Sequence, residues 1–217
     1  MIEQVRLPDG TDAFVLPLQR TDRATLAAEF ETLAPESRRR RFLAPVMHLN
    51  DAMLQHLVDD VDGVEHVALV LCVETSPDVY DPVALARMVR YADVPDAADL
   101  AVTVKDEWHG RGVATVLLAV LMRHRPVGVD RIVTEVLKDN PASLRMLRRL
   151  GPTTVEDQEH GAYGVVVELP RTIVPGQAAP APAPVPDHVR RPASPLLRDP
   201  VHRHALRTRD QVCPWFR

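Results

Sequence analysis

The chain has 217 residues, 46% of them hydrophobic and 26% charged, which suits one globular domain with a sizeable core and leaves little room for two large ones. A formal charge of -4 supplies no global basic field, so nucleic acid is not an expected partner, and no run of about eighteen apolar residues is present to span a membrane. Met1-Ile2-Glu3-Gln4 lacks the basic-then-apolar order of a secretory leader and only two cysteines occur, Cys72 and Cys213, so a cytoplasmic protein without a disulfide framework or cysteine-rich metal site is expected.

Taken in chain order, a short strand near Gln4 to Leu7 turns at Pro8-Asp9-Gly10 into a strand from Ala13 to Leu18. Thr21-Asp22 opens a helix to about Leu33, with Leu26, Phe30 and Leu33 on one face. Arginines 38 to 41 sit on a short polar helix, and Asn50 caps another in which Leu54, Leu57, Val58 and Val61 recur at helical spacing. His66 to Val73 and Pro82 to Tyr91 read as apolar strands joined through Ser76-Pro77-Asp78, and Asp99 to Val104 as a further strand. Cys72 lies inside the first of these and reads as core filler. Gly112 to Arg123 is an amphipathic helix, Arg131 to Leu137 a strand, and Pro141 to Leu150 a helix capped by Asn140 with proline in its first turn. Thr153 to Gln158 and Ala162 to Leu169 close the pattern as strands.

After Leu169 the composition changes. Pro170, Pro175 and Ala179-Pro-Ala-Pro-Ala-Pro-Val-Pro186 leave neither helical nor strand period, so residues 1–169 are expected to fold as the domain and 170–217 to form an extended, proline-rich tail. His48, His56 and His66 share no metal spacing, and no metal is proposed.

The chemistry concentrates in Val102-Thr-Val-Lys-Asp-Glu-Trp-His-Gly-Arg-Gly-Val-Ala-Thr115, where a strand ends, a short loop follows, and glycines 110 and 112 open a helix. The first amides of a helix have no partner within it and face outward with the positive end of its dipole, so the site suits a pyrophosphate without any lysine. A P-loop would need Gly-Lys-Ser or Gly-Lys-Thr where the chain has Gly112-Val-Ala-Thr115, and a dinucleotide fold would need glycine at Thr115.

The remaining pattern resembles motif A of the GNAT N-acetyltransferases, written Gln or Arg, two residues, Gly, one residue, Gly or Ala. Here it reads His109-Gly110-Arg111-Gly112-Val113-Ala114, with His109 departing from the usual residue. Asn140-Pro-Ala-Ser143 through Leu150-Gly151 is similar to the family's later Asn-led helix ending in Leu-Gly, and Pro35-Glu-Ser-Arg38 with Arg41-Phe42 resembles the acetyltransferase domain of bacterial protein-lysine acetyltransferases. The resemblance implies an α/β fold around a mixed, mostly antiparallel sheet of six to seven strands with about four helices, splayed at the fourth and fifth strands. It implies acetyl-CoA as cosubstrate, its pantetheine along Val102, Thr103 and Val104, its pyrophosphate at His109, Gly110, Arg111, Gly112, Val113, Ala114 and Thr115, and its thiol end near Asn140 and Ser143. Asp99 stands where related lysine acetyltransferases carry a glutamate base, and Leu147 where many members carry a tyrosine acid. Tyr163 is expected to pack in the core or at the rim, and Trp108 beside the phosphate loop.

Three functions follow as expectations: transfer of acetyl from acetyl-CoA to a primary amine, on a small molecule or a protein lysine; acyl-CoA sensing without turnover; and partner recognition by the proline-rich tail. Acceptor choice is expected to rest with the segments Arg38 to Asn50, Thr75 to Pro82 and Glu159 to Tyr163.

Overall fold

The turn at Pro8-Asp9-Gly10 joins β1 (Glu3–Arg6) to β2 (Asp12–Pro17) as an antiparallel hairpin, closed where the Asp9 carboxylate accepts the Thr11 amide at 3.0 Å. The structure is a computed structural model that describes residues 2–76, 79–158 and 161–170. All of the expected tail but Pro170 lies outside the described residues, as do Pro77, Asp78 and Glu159 of the loops assigned to the acceptor.

Next come β3 (His66–Ser76), β4 (Val79–Arg90), β5 (Ala97–Val104), β6 (Arg131–Leu137), β7 (Thr153–Asp157) and β8 (Ala162–Glu168). They make one sheet in the order β1-β2-β3-β4-β5-β6-β8-β7, in which β5 and β6 alone run parallel. The sheet is mixed and mostly antiparallel as expected, but it has eight strands where six to seven were expected. The extra width comes from short edge strands: β1 pairs through four residues, and Arg6 grips Asp12 across the hairpin at 2.9 Å.

Among the described residues there are five α-helices, α1 (Arg23–Phe30), α2 (Pro35–Phe42), α3 (Asp51–Leu54), α4 (Val113–Arg123) and α5 (Pro141–Arg148), against about four expected. The helix expected from Thr21 begins at Arg23, because Arg20–Asp22 forms a 3-10 turn whose Asp22 carboxylate accepts the Gln19 amide at 2.9 Å. α2 starts three residues before the arginine run. Pro35 fits the first helical position, and the orphan donors there go to Asp106, 72 residues away, which accepts the Ala34 amide at 3.0 Å. α3 continues as a π-helical turn over Gln55–Asp59, so His56 and Leu57 lie on a widened spiral.

α4 lies on β3, β4 and β5 and buries Leu117, Leu118, Val120 and Leu121, while α1 buries Leu26 and Phe30. Each such fully buried side chain contributes on the order of 2 kcal/mol. Cys72 is core filler as read, its thiol pushed up to about 12 by burial. No described helix is long and apolar enough to cross a membrane.

One glycine marks a tight closure. A β-carbon at Gly151 would stand 2.0 Å from the Glu168 carbonyl oxygen of β8. Gly151→Ala is therefore expected to lower stability by about 2–3 kcal/mol, seen as a lower denaturant midpoint at unchanged slope; an unchanged midpoint would mean that the end of β8 yields freely.

Candidate functional site

β5 and β6 pair only at Ala97↔Arg131 and Ala98↔Ile132, and beyond one last link, the Thr134 hydroxyl donating to the Leu100 carbonyl at 3.3 Å, the two strands part. β5 stays zipped to β4 on its other side through Ala84↔Val104. The gap opens a cavity of about 600 Å³, lined by β5 from Asp99 to Val104. This is the splay expected between the strands ending at Val104 and Leu137. An edge of β5 backbone facing a cleft offers amide and carbonyl groups to an extended ligand in the manner of an added strand.

At the far end of β5 the chain passes through a 3-10 turn, Asp106–Trp108, into the glycine loop. Gly110 and Gly112 have φ of 76° and 80°, left-handed values that favour glycine. A β-carbon at Gly112 would also meet Pro8 Cγ at 2.6 Å, so the β1–β2 turn packs against the loop and fixes it. Gly110 faces open space, with nothing within 4 Å of a β-carbon there. Gly112 caps α4, and Val113, Ala114 and Thr115 follow with the unpaired amides of its first turn; all line the cavity.

His109 also lines the cavity, but its ring is engaged: Nε2 lies 3.0 Å from the Val104 carbonyl, to which it must donate. This ties the loop back onto β5. Arg111 does not line the cavity. Its guanidinium stacks 3.9 Å above the Trp108 ring and donates to Asp9 Oδ2 at 2.6 Å. Asp9 is held down to about 2 by the Thr11 amide and hydroxyl and by Arg111. Trp108 therefore braces the loop, as expected of it.

Across the cleft, Asn140 caps α5, its Oδ1 accepting the Ser143 amide at 3.2 Å and its Nδ2 donating to the Ser143 hydroxyl at 2.8 Å. Both residues line the cavity, and so does Leu147, 2% exposed. Tyr163 is packed against the core, with the Lys138 ammonium 5.6 Å from its ring. So twelve of the thirteen residues expected at the site converge on one cavity, and Arg111 turns away from it.

Sequence reasoning missed what covers and floors the cavity. The four arginines of α2 have separate contacts: Arg38 donates to the carbonyls of Leu33, Met47 and Glu31 at 2.9 Å each, Arg39 pairs with Glu36 and Asp139, Arg40 pairs with Glu36 at 2.8 Å, and Arg41 lines the cavity. Ser37 donates to Asp106 Oδ1 at 2.5 Å. α2 therefore spans the mouth, joined to Asp106 after β5 and to Asp139 after β6. From below, Arg87 of β4 lines the cavity although it is 4% exposed. A lone arginine within Val83-Ala-Leu-Ala-Arg-Met-Val89 was the available signal.

The comparisons with known proteins agree with this geometry. A family model described as an acetyltransferase (GNAT) domain matches residues 14–153. The chain belongs to the GNAT acetyltransferase family. Among curated relatives, Acetyltransferase Pat of Mycolicibacterium smegmatis is 32% identical over 120 residues, which is 55% of this chain and 34% of that protein. An acetyltransferase of Pseudomonas aeruginosa is 30% identical over 118 residues, or 54% of this chain and 60% of that one. The matches thus span a third to three fifths of these relatives' lengths. Among solved structures, the GNAT domain of S. lividans PAT superposes with a TM-score of 0.65 at 28% identity, covering 77% of this chain and 97% of that one. A cAMP-binding acyltransferase from Mycobacterium smegmatis gives a TM-score of 0.53 at 25% identity, covering 78% and 48%.

Proposed function

We propose that this GNAT chain is an acetyl-CoA-dependent N-acetyltransferase whose acceptor is a primary amine, on a small molecule or a protein lysine. The observation that carries the reading is the single cavity in which the glycine-opened start of α4, the parted edge of β5 and Asp99 all take part. In this reading the pyrophosphate rests on the amides of Val113, Ala114 and Thr115, and Gly110 leaves room for it. The pantetheine lies along Val102, Thr103 and Val104, where β5 has left β6. Its thiol end reaches Asn140 and Ser143 on the opposite wall.

The acceptor nitrogen attacks the thioester carbon, a C–N bond forms, the C–S bond breaks, and coenzyme A leaves as thiolate. An amine with a pKa of about 10.4 arrives as ammonium at neutral pH, so a proton must go elsewhere first. Asp99, half-buried on β5 opposite Val89, takes it through a water molecule, and an amide N–H of the free β5 edge stabilises the oxyanion. A thiol pKa near 8.5 lets the thiolate depart without a dedicated acid. The domain is assigned to residues 1–169 and the tail to 170–217, and removal of the chain after Pro170 is expected to leave acetyl-CoA binding intact; loss of binding would overturn that boundary.

Calorimetric titration with acetyl-CoA, followed by thiol release over a panel of amines, tests the function. Binding with release for at least one amine supports it, and no binding overturns it. A sensing module is favoured by buried Leu147, which puts an alkyl group where many relatives carry a hydroxyl; binding without release for every amine would select that reading.

A further inference from the structure

We propose that Arg87, with Arg41 beside it, forms a carboxylate subsite in the cavity, so that one of the two reactants, the acyl group or the amine, carries a carboxylate close to the reacting atoms. This deepens the acetyltransferase reading and rests on it.

The argument begins with placement. Pairing of His66 with Val89 and of Val89 with Asp99 puts those three side chains on one face of β3, β4 and β5. Arg87, two residues from Val89, shares that face. It is the diagonal neighbour of Asp99, about 7–8 Å away across the two strands. A ligand of three or four carbons spans that distance, one end at the proposed base and the other at the guanidinium.

The surroundings keep the guanidinium from being neutralised by its histidine neighbours. Arg87 Nη2 donates to His56 Nε2 at 3.0 Å, so the His56 ring accepts there and carries its proton on Nδ1, 3.5 Å from Asp60 Oδ2. His66 stacks near His56 with ring centroids 5.5 Å apart. Burial first, and the Arg87 charge second, push His56 down to about 4 and His66 down to about 2. Both rings are therefore neutral dipoles at physiological pH. Arg41 adds a second positive charge felt at His56 and also lines the cavity. Asp60 faces His56, Asp62 is committed to the amides of Val64, Glu65 and His66, and Asp99 is assigned to the amine. A fixed cation at the floor of an apolar cavity, positioned by a rigid imidazole, is a receptor for a carboxylate in bidentate or single contact.

Two pairs of four-carbon probes, each differing only in carboxylate against methyl, locate the partner. Thiol release is measured for succinyl-CoA against butyryl-CoA with butylamine, and for 4-aminobutanoate against butylamine with acetyl-CoA. The intact chain is expected to prefer the carboxylate member of one pair in kcat/KM on the order of tenfold, the yield of one charge-assisted hydrogen bond. The pair that shows the preference names the reactant. In Arg87→Gln the ratio should fall toward one, and Arg87→Lys should keep part of it. Absence of preference in both pairs, or a preference that survives Arg87→Gln, overturns the subsite; a loss shared equally by both members, with the ratio unchanged, does the same. If no amine reacts at all, the acetyltransferase reading fails separately, and titration with each probe then decides. Equal affinities within both pairs would overturn the subsite.

Discussion

Replacing Gly112 with glutamate is expected to raise the dissociation constant for acetyl-CoA on the order of a hundredfold or more, close to 3 kcal/mol at about 1.4 kcal/mol per decade. Two effects combine. The residue sits at φ 80°, and a β-carbon there would press on Pro8 Cγ at 2.6 Å, so any side chain disturbs the packing of the β1–β2 turn against the loop. A carboxylate adds a negative charge at the amides assigned to the pyrophosphate, where it competes for the helix terminus and repels the ligand. Gly112→Ala carries the first effect without the second, and the difference between the two variants, measured by calorimetry with a thermal melt of each, isolates the electrostatic part. If the glutamate variant binds like the intact chain, the anion site is elsewhere.

Asp99→Asn is expected to lower turnover about a hundredfold to ten-thousandfold while leaving acetyl-CoA affinity close to that of the intact chain. Its pH dependence carries the sharper test. An acceptor with a pKa of about 10.4 is nearly all ammonium at neutral pH and largely free amine near pH 10. A base that removes the ammonium proton matters most where ammonium dominates, so the deficit of the variant should shrink as pH rises. A deficit of equal size from pH 7 to 10 would assign Asp99 a structural part, and no deficit would remove it from the mechanism.

The sequence was most readable where function rests on the backbone. Glycines 110 and 112 pointed to the phosphate loop because the left-handed conformations and the close approach of Pro8 restrict the residue type directly. The apolar runs of β3, β4 and β5 were readable for the same kind of reason: a strand buried on both faces tolerates few polar residues. Features made by distant side chains were not readable. The start of α2 depends on Asp106, 72 residues away, and no local pattern announces it. Arg111 was expected among the cofactor contacts and instead braces Trp108 and Asp9, a choice settled by where the β1–β2 turn lands. Arg87 had a legible signal, a charge inside an apolar strand, but its meaning needed the π-helical turn that brings His56 against it.

The way α2 is attached gives the cleft a mechanical asymmetry. On the β5 side the helix is hung by the Ala34 amide and the Ser37 hydroxyl, both donating to Asp106 at its N-terminus. On the β6 side it is held by the Arg39 pairing with Asp139, two side chains that are 35% and 57% exposed. An exposed pair of this kind is worth under about 1 kcal/mol and weakens as ionic strength rises. α2 therefore behaves as a door with a firm hinge and a light latch, and added salt loosens the latch while the hinge holds.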